Sequence, residues 1–354
     1  GMAGTDDYWV IKLLPDGTIH WQNTIGGNSI DELSSIELTY DNGYILAGTS
    51  RSDATGDKTE GLMGAFGKSD YWVMRLFNDG TIDWQNTIGG SDNDQARSVV
   101  PIVGGGYLVG GSSISNVSGD KTENSLGGDD YWILKLSSTG SILWQNTIGG
   151  DNTDKTIYVD ETSDGGFVVG GISFSNASGD KTEPRFGNDF DWWIVKINST
   201  GTIGWNNTIG GSEEEDLSAV LWGNGGFYLA GSSRSNISGD KTENSKGLSD
   251  IWVVRLSTPS SSNDVTGCCS TPLNLFPNPA SQLLQVDLSS IRGNSFSYSL
   301  FGIEGSQIHA CETYPTDGRI LPIPLAGVPA GLYILRINNE YGELFAGKVL
   351  VVDR

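Results

Sequence analysis

The sequence predicts an all-β protein: a β-propeller of four or five blades, about sixty residues each, followed by a small β-sandwich. Three observations carry that expectation. The heptapeptide WQNTIGG stands at 21–27, 84–90 and 144–150, and recurs as WNNTIGG at 205–211. Two further elements recur in step with it. The segment from residue 273 onward carries none of the three.

The second element reads DYWVIKL (7–13), DYWVMRL (70–76), DYWILKL (130–136), DWWIVKI (191–197) and DIWVVRL (250–256), at spacings of 63, 60, 61 and 59 residues. The third reads GYILAG (43–48), GYLVGG (106–111), GFVVGG (166–171) and GFYLAG (226–231). With an amphipathic segment such as Leu33–Thr39, each unit holds about four strand-like stretches, seventeen in all. In DYWVIKL both alternating sets are apolar, so the sheet is expected to lie between two others. The small pairs Ala47–Gly48, Gly110–Gly111, Gly170–Gly171 and Ala230–Gly231 suit strands converging on a crowded axis. Seventeen strands leave the blade number at four or five, and the ring is expected to close by pairing the N-terminal hairpin with the last repeat.

Composition agrees. Gly is 50 of 354 residues, twice the usual share of roughly 7%, and charged residues are 18%, against about 25% ordinarily. Such a chain is rich in turns and short strands. The longest apolar runs, such as Val349–Val352, fall far below the ~18 residues of a membrane span, so no membrane insertion is expected. A net charge of −22 argues against nucleic acid or an anionic membrane as partner and suits a cation-rich extracellular setting. The opening GMAGTDDYWV shows no basic segment followed by an apolar one, so a removed leader or a fragment is expected, and Gly1 before Met2 reads as an expression scar.

Turn residues PDG, NDG and STG separate each DYW strand from its WQN tryptophan, which makes a β-hairpin. That hairpin resembles the Trp hairpin of quinoprotein-type propellers, which implies that Trp21, Trp84, Trp144 and Trp205 wedge between neighbouring blades, with the Gly pair turning the chain onward. The rival reading has the tryptophans lining a sugar-binding surface. The array is also similar to DYWVVKLD–WQ–GGYIVAG repeats of secreted Bacteroidetes proteins, a resemblance of architecture that names no activity.

The propeller is expected over 1–256 and a Ser-rich linker over 257–272. Residues 273–354 read as short alternating strands with Pro and Gly turns, hence a small sandwich. They resemble, in order, the C-terminal type A sorting domain of the Bacteroidetes type IX secretion system. The matching residues are Pro277, Asn278 and Pro279, the strand opened by Gly331 with Tyr333, and the terminal strand with Lys348. One departure is Phe301–Gly302, where the family usually carries an Asp. The resemblance implies a seven-stranded immunoglobulin-like sandwich, the type IX machinery as partner, and export to the outer surface or medium.

Chemistry-bearing residues are few. Three cysteines form no metal-binding pair; one bond from Cys268 or Cys269 to Cys311 would be compatible with an oxidising space. His20 and His309 fall in different domains, which leaves a Ser-His-Asp mechanism without material. The recurrent loops DATGDKTE, NVSGDKTE, NASGDKTE and NISGDKTE space oxygen side chains around a Gly bend, as calcium loops do. They offer Asp57, Glu60, Asp120, Glu123, Asp180, Glu183, Asp240 and Glu243 as tentative calcium ligands. Against calcium, a lysine follows each central Asp, and the plainer reading is a loop of Asx and Ser/Thr turns with Asp–Lys pairs on its surface. Asp31, Asp94, Asp154 and Glu215, which follow each Gly pair, read as turn chemistry.

The expected function is a secreted or surface-displayed, non-enzymatic, monomeric binding scaffold for a glycan or protein. The alternative is a polysaccharide hydrolase in the propeller funnel, whose carboxylate pair would have to break the repeat symmetry.

Overall fold

The computed structural model describes residues 6–223, 226–257, 274–277, 280–288, 295–302, 307–315, 320–339 and 344–352. Among them there is no α-helix, so none is long and apolar enough to cross a membrane. The chain divides into two compact units, 1–256 and 257–354.

Seventeen strands of the first unit form five antiparallel sheets. Sheet I is the hairpin β1 (Tyr8–Leu13) and β2 (Ile19–Ile25). Sheet II runs β3 (Asp31–Leu38), β4 (Tyr44–Ser50), β5 (Asp70–Leu76), β6 (Ile82–Ile88). Sheet III repeats the order with β7 (Asp94–Pro101), β8 (Tyr107–Ser113), β9 (Asp130–Leu136) and β10 (Ile142–Ile148). Sheet IV does so with β11 (Asp154–Glu161), β12 (Phe167–Ser173), β13 (Asp191–Ile197) and β14 (Ile203–Ile209). Sheet V holds β15 (Glu215–Gly223), β16 (Gly226–Ser233) and β17 (Asp250–Ser257).

Each sheet packs its face on the next. Four apolar clusters lie in turn between I and II, II and III, III and IV, and IV and V. That is why the DYW strands are apolar on both sides: every residue of β5 is buried. The end strands differ. Trp9 on β1 is 62% exposed and Ile251 on β17 is 87% exposed, because one face of each lacks a neighbouring sheet. Among the described residues the expected pairing of the N-terminal hairpin with the last repeat is not formed. The reason is local: β17 occupies the third place of sheet V, the place β1 would have to take.

The WQNTIGG motif is a joint, as its period suggested. Trp21 Nε1 donates to the Asn78 carbonyl at 3.0 Å, Trp84 to Ser138 at 3.0 Å and Trp144 to Ser199 at 3.1 Å, each in the hairpin turn of the next sheet. The turn residues Gly80, Gly140 and Gly201, at φ 84–87°, lie against those indoles and leave no room for a Cβ. The motif's next residue works inside its own sheet: Gln85 and Gln145 accept from Trp72 and Trp132 Nε1 at 3.0 Å. The following Asn spans the joint again, Asn86 to the Gly140 carbonyl at 2.7 Å. For Trp205 the matching turn lies outside the described residues.

A second ladder runs the same way. Tyr8, Tyr71 and Tyr131 stack on Trp72, Trp132 and Trp193 of the following sheet at 4.9–5.0 Å and donate their hydroxyls to those residues' carbonyls at 3.1–3.2 Å. Gly48, Gly111 and Gly171 owe their identity to this ladder: a Cβ there would strike the tyrosine hydroxyl and a carbonyl of the neighbouring first strand. The crowding expected at an axis is therefore that of the sheet junction.

In the second unit, β18 (Asn274–Phe276), β19 (Leu283–Asp287) and β22 (Ile320–Pro324) form one antiparallel sheet. β20 (Ser295–Gly302), β21 (Gln307–Pro315), β23 (Gly331–Asn339) and β24 (Leu344–Val351) form the other. Val286, Ile323, Leu300, Leu335 and Val349, from both sheets, share one core.

Candidate functional site

The repeats largely agree along the DYW and WQN strands and disagree along their first strands. β3, β7, β11 and β15 each open on a buried acid. Thereafter equivalent positions read Glu32, Gln95, Lys155 and Asp216, then Ser34, Arg97, Ile157 and Ser218. The second set falls at a register shift between Leu33 and Ser35, Ala96 and Ser98, Thr156 and Tyr158, Leu217 and Ala219. A bulge places an extra residue outside the ladder and re-aims its side chain.

The bulged strands are stitched side by side. Ser35 Oγ accepts from the Val99 N–H, and Ser98 Oγ from the Val159 N–H, both at 3.2 Å. Between them opens a cavity of about 510 Å³ lined by Glu32, Ser34, Gln95, Arg97, Lys155 and Ile157, among others. Arg97 is held by Gln95 Oε1 at 3.2 Å and Lys155 lies 3.8 Å from Asp129. The lining is polar and of mixed charge, with an acid, an amide and two cations on three strands. Such a surface can bind a ligand rich in hydroxyls or of mixed charge.

Farther along the same strands a second group breaks the repeat. Glu37 and Asp160 stand where β7 and β15 carry Val100 and Leu221. Burial raises the pKa of both carboxyls, and Asp160 adds to the rise at Glu37. Tyr158 donates to Asp160 at 3.2 Å, and the Tyr40 phenol is raised by burial, then by Glu161 and Asp160. Neither set was singled out in the sequence. The signal was available in the columns where the four repeats differ.

The GDKTE loops sit elsewhere, clasping the Gly pairs. Asp57, Asp120, Asp180 and Asp240 each accept from the first glycine N–H of a Gly pair, at 3.2 Å. Glu60, Glu123 and Glu183 accept from the backbone N–H of Thr87, Thr147 and Thr208 at 2.6–2.9 Å. Glu243 is exposed. Carboxylates meet only in twos across a junction, with Glu60 raising the pKa of Asp120 after burial, and no cluster of three ligating groups occurs among the described residues. A pair of carboxylates falls far short of the six to eight oxygens that a calcium loop needs. Nor do the lysines pair on the surface as expected: Lys58, Lys121, Lys181 and Lys241 are buried. Lys58 and Lys241 donate to the Ser52 and Ser235 carbonyls, and Lys121 and Lys241 lie over the Trp132 and Trp252 rings. The acids after the Gly pairs do perform turn chemistry, Asp31 Oδ2 accepting from Gly27 N–H at 2.8 Å and Ser52 Oγ at 2.9 Å.

In the second unit, Gly331 opens β23, Tyr333 enters the core and donates to the Pro329 carbonyl at 2.8 Å, and Lys348 pairs in register with Ile334. Pro277 follows β18; Asn278, Pro279, Cys268 and Cys269 lie outside the described residues, as does linker 258–272.

Residues 274–352 match the family described as the secretion system C-terminal sorting domain. That segment is a type IX sorting domain. The sorting domain marks the chain for export and for attachment to, or release from, the cell surface. The chain is also 23% identical over 184 residues to the regulatory protein FlaEY of Caulobacter vibrioides, a stretch that is 49% of this chain and 19% of that relative, so it spans about a fifth of FlaEY's length. Among solved structures, a Synechocystis apocarotenoid oxygenase mutant aligns over 88% of this chain and 68% of its own at 12% identity, with a TM-score of 0.35. The extracellular domain of a one-component system from B. thetaiotaomicron aligns over 99% and 55% at 10% identity, with a TM-score of 0.24. Likenesses this distant bear on neither the fold nor the activity.

Proposed function

We propose that the five sheets are successive blades of a β-propeller, and that this propeller is a surface-displayed, non-enzymatic binding module delivered by the sorting domain. The observation carrying the reading is that the repeats differ at the bulged first-strand positions that line the 510 Å³ cavity. Residues that make the fold recur; residues free to recognise something do not. Mixed charge with hydroxyl and amide groups favours a glycan or a polar peptide segment as ligand. The test is a glycan and peptide array probed with the parent protein and with the Gln95→Ala/Arg97→Ala/Lys155→Ala variant. Binding lost at unchanged melting temperature supports the reading; binding retained by the triple variant sinks it. Deleting residues 274–352 should abolish export in a host with type IX secretion while leaving the propeller folded.

The second reading, a polysaccharide hydrolase, draws on one observation: the Glu37–Asp160 couple breaks the repeat, as a catalytic pair must. Turnover of chromogenic glycosides that vanishes in Glu37→Gln or Asp160→Asn would establish it in place of the first.

A further inference from the structure

The junctions hold buried charges that ligand binding does not use. Asp70, Asp130 and Asp191, which open the DYW strands, are fully buried, as are Asp94, Asp154 and Glu215, which open the following sheets. One lysine per repeat is buried beside them, Lys58, Lys121 or Lys181. Each repeat thus encloses two carboxyl groups for one ammonium.

One oxygen of each aspartate is satisfied. Asp94 Oδ2 accepts from Gly90 N–H and Ser115 Oγ at 2.6 and 3.1 Å, and Asp154 Oδ2 from Gly150 N–H and Ser175 Oγ at 2.7 and 2.9 Å. Oδ2 of Asp70, Asp130 and Asp191 accepts from the N–H of Met63, Leu126 and Phe186 at 2.5–2.6 Å. The other oxygen, Oδ1, of Asp70, Asp130 and Asp191 is buried with no protein donor, whereas Ser113, Ser173 and Ser233 hydroxyls serve the facing Asp94, Asp154 and Glu215. Backbone bonds bring these acids to the same junctions: the N–H groups of Asp94, Asp154 and Glu215 donate to the carbonyls of Ser69, Asp129 and Phe190, the residues just before Asp70, Asp130 and Asp191, at 2.6–2.8 Å. Asp70 feels the charge of Asp94 and Asp154 that of Asp130, and Asp191 is in side-chain hydrogen-bond contact with Glu215. Two carboxylates cannot donate to one another. One proton turns a member of the couple into a donor and removes one of two like charges from a dry site.

We propose that the acid couples between sheets II and III and between sheets IV and V each hold one proton at neutral pH, so that protonated carboxyls are structural hydrogen-bond donors at these junctions. Burial, then the facing acid against the opposing N–H bond, lifts Asp70 to about 7 and Asp191 to about 8. Burial likewise lifts Asp154 to about 6, with Asp130 adding to it. The other charges facing the couples are few. Lys58 and Asp120 face Asp70, Lys121 faces Asp94 and Asp130, and Lys181 faces Asp154 and Asp191. The ammonium groups also disfavour a metal ion in the proton's place.

A carboxyl whose folded pKa is raised contributes stability in full below about pH 4 and loses it as the pH climbs through 6–8. The buried lysines, Lys121 and Lys181 lowered to about 8 chiefly by burial, act in the opposite sense from about pH 7 upward in parent and variant alike, so the difference between the two profiles reads the acids. The experiment follows the melting temperature of the full chain from pH 5 to 8, alone and as Asp70→Asn/Asp130→Asn/Asp191→Asn, whose amides donate without a proton. Infrared spectra at pH 7 read the carbonyl band of un-ionised carboxyl. The parent should lose melting temperature toward pH 8 and show the band; the variant should flatten the profile and lose the band. A flat parent profile, a missing band, or a band unchanged by the substitutions would overturn the proposal. So would a midpoint that falls on chelation, which would put a metal ion in the couple. Should the triple variant not fold, the parent's band and profile decide.

Discussion

The third and first strands of one sheet have opposite histories. β9 repeats β5 at four of seven positions, exchanges Val, Met and Arg for Ile, Leu and Lys at the others, and is buried along both faces. β7, in the same sheet, shares little with β3 beyond its opening aspartate and borders the open cavity. A third-strand residue must satisfy two neighbouring sheets at once, so packing density allows few alternatives. A bulged first-strand residue satisfies no ladder and meets the cavity. One small sheet therefore carries a strand fixed by its neighbours beside a strand free to vary.

Substitutions can break that comparison, and the largest should be Trp132→Ala. This indole is fully buried between sheets, and its removal should lower unfolding free energy by about 3–5 kcal/mol in a denaturant titration. Trp9, the same motif residue with 62% of its surface exposed, should cost less than about 1 kcal/mol as alanine. Equal losses would mean that the motif, and not its two-sided burial, sets the stability. Next is Tyr131→Phe, which deletes the hydroxyl bond to the Trp193 carbonyl and should cost about 1 kcal/mol. The IV–V junction already lives without that bond, because Trp192 stands in the tyrosine's place and stacks on Trp252 at 4.8 Å. Smaller still, Gln95→Ala and Ser34→Ala should move stability by no more than about 0.5 kcal/mol while changing what the cavity retains. Least of all, millimolar calcium or a chelator should leave the melting temperature in place, since loop carboxylates such as Glu60 and Asp120 meet only in twos.

The frame was legible because repetition writes it four times. The hairpins, the Trp joints and the seventeen strands of the first unit follow from motif spacing, and the sorting domain from its own short motifs. What was missed has physical causes. Lys58 and its equivalents read as surface charge, since nothing local announces that a loop lysine will be buried, and in Lys121, Lys181 and Lys241 laid over a tryptophan of its own sheet. The first-strand lining was overlooked because attention to what recurs passes over Arg97 and Lys155, which matter by differing. Ring closure was misjudged because a fifth DYW strand looks, in sequence, like a spare, whereas in space β17 completes its own sheet's third place.

The tyrosine-to-tryptophan ladder also gives the stack a mechanical direction. Each sheet presses a ring onto its successor, with a hydroxyl as well at the first three junctions, so sheets II to IV are clamped twice and sheets I and V once, sheet V by the ring alone. With Ile251 and Val253 uncovered on its outer face, sheet V is the weak end for a pull applied at the C-terminal tail. Under tension from that side, the molecule should unravel as a zipper opened from one end, releasing one sheet of about sixty residues per step. Optical-tweezer traces would record a first rip at lower force than the next, when the clamped sheets III and IV begin to yield.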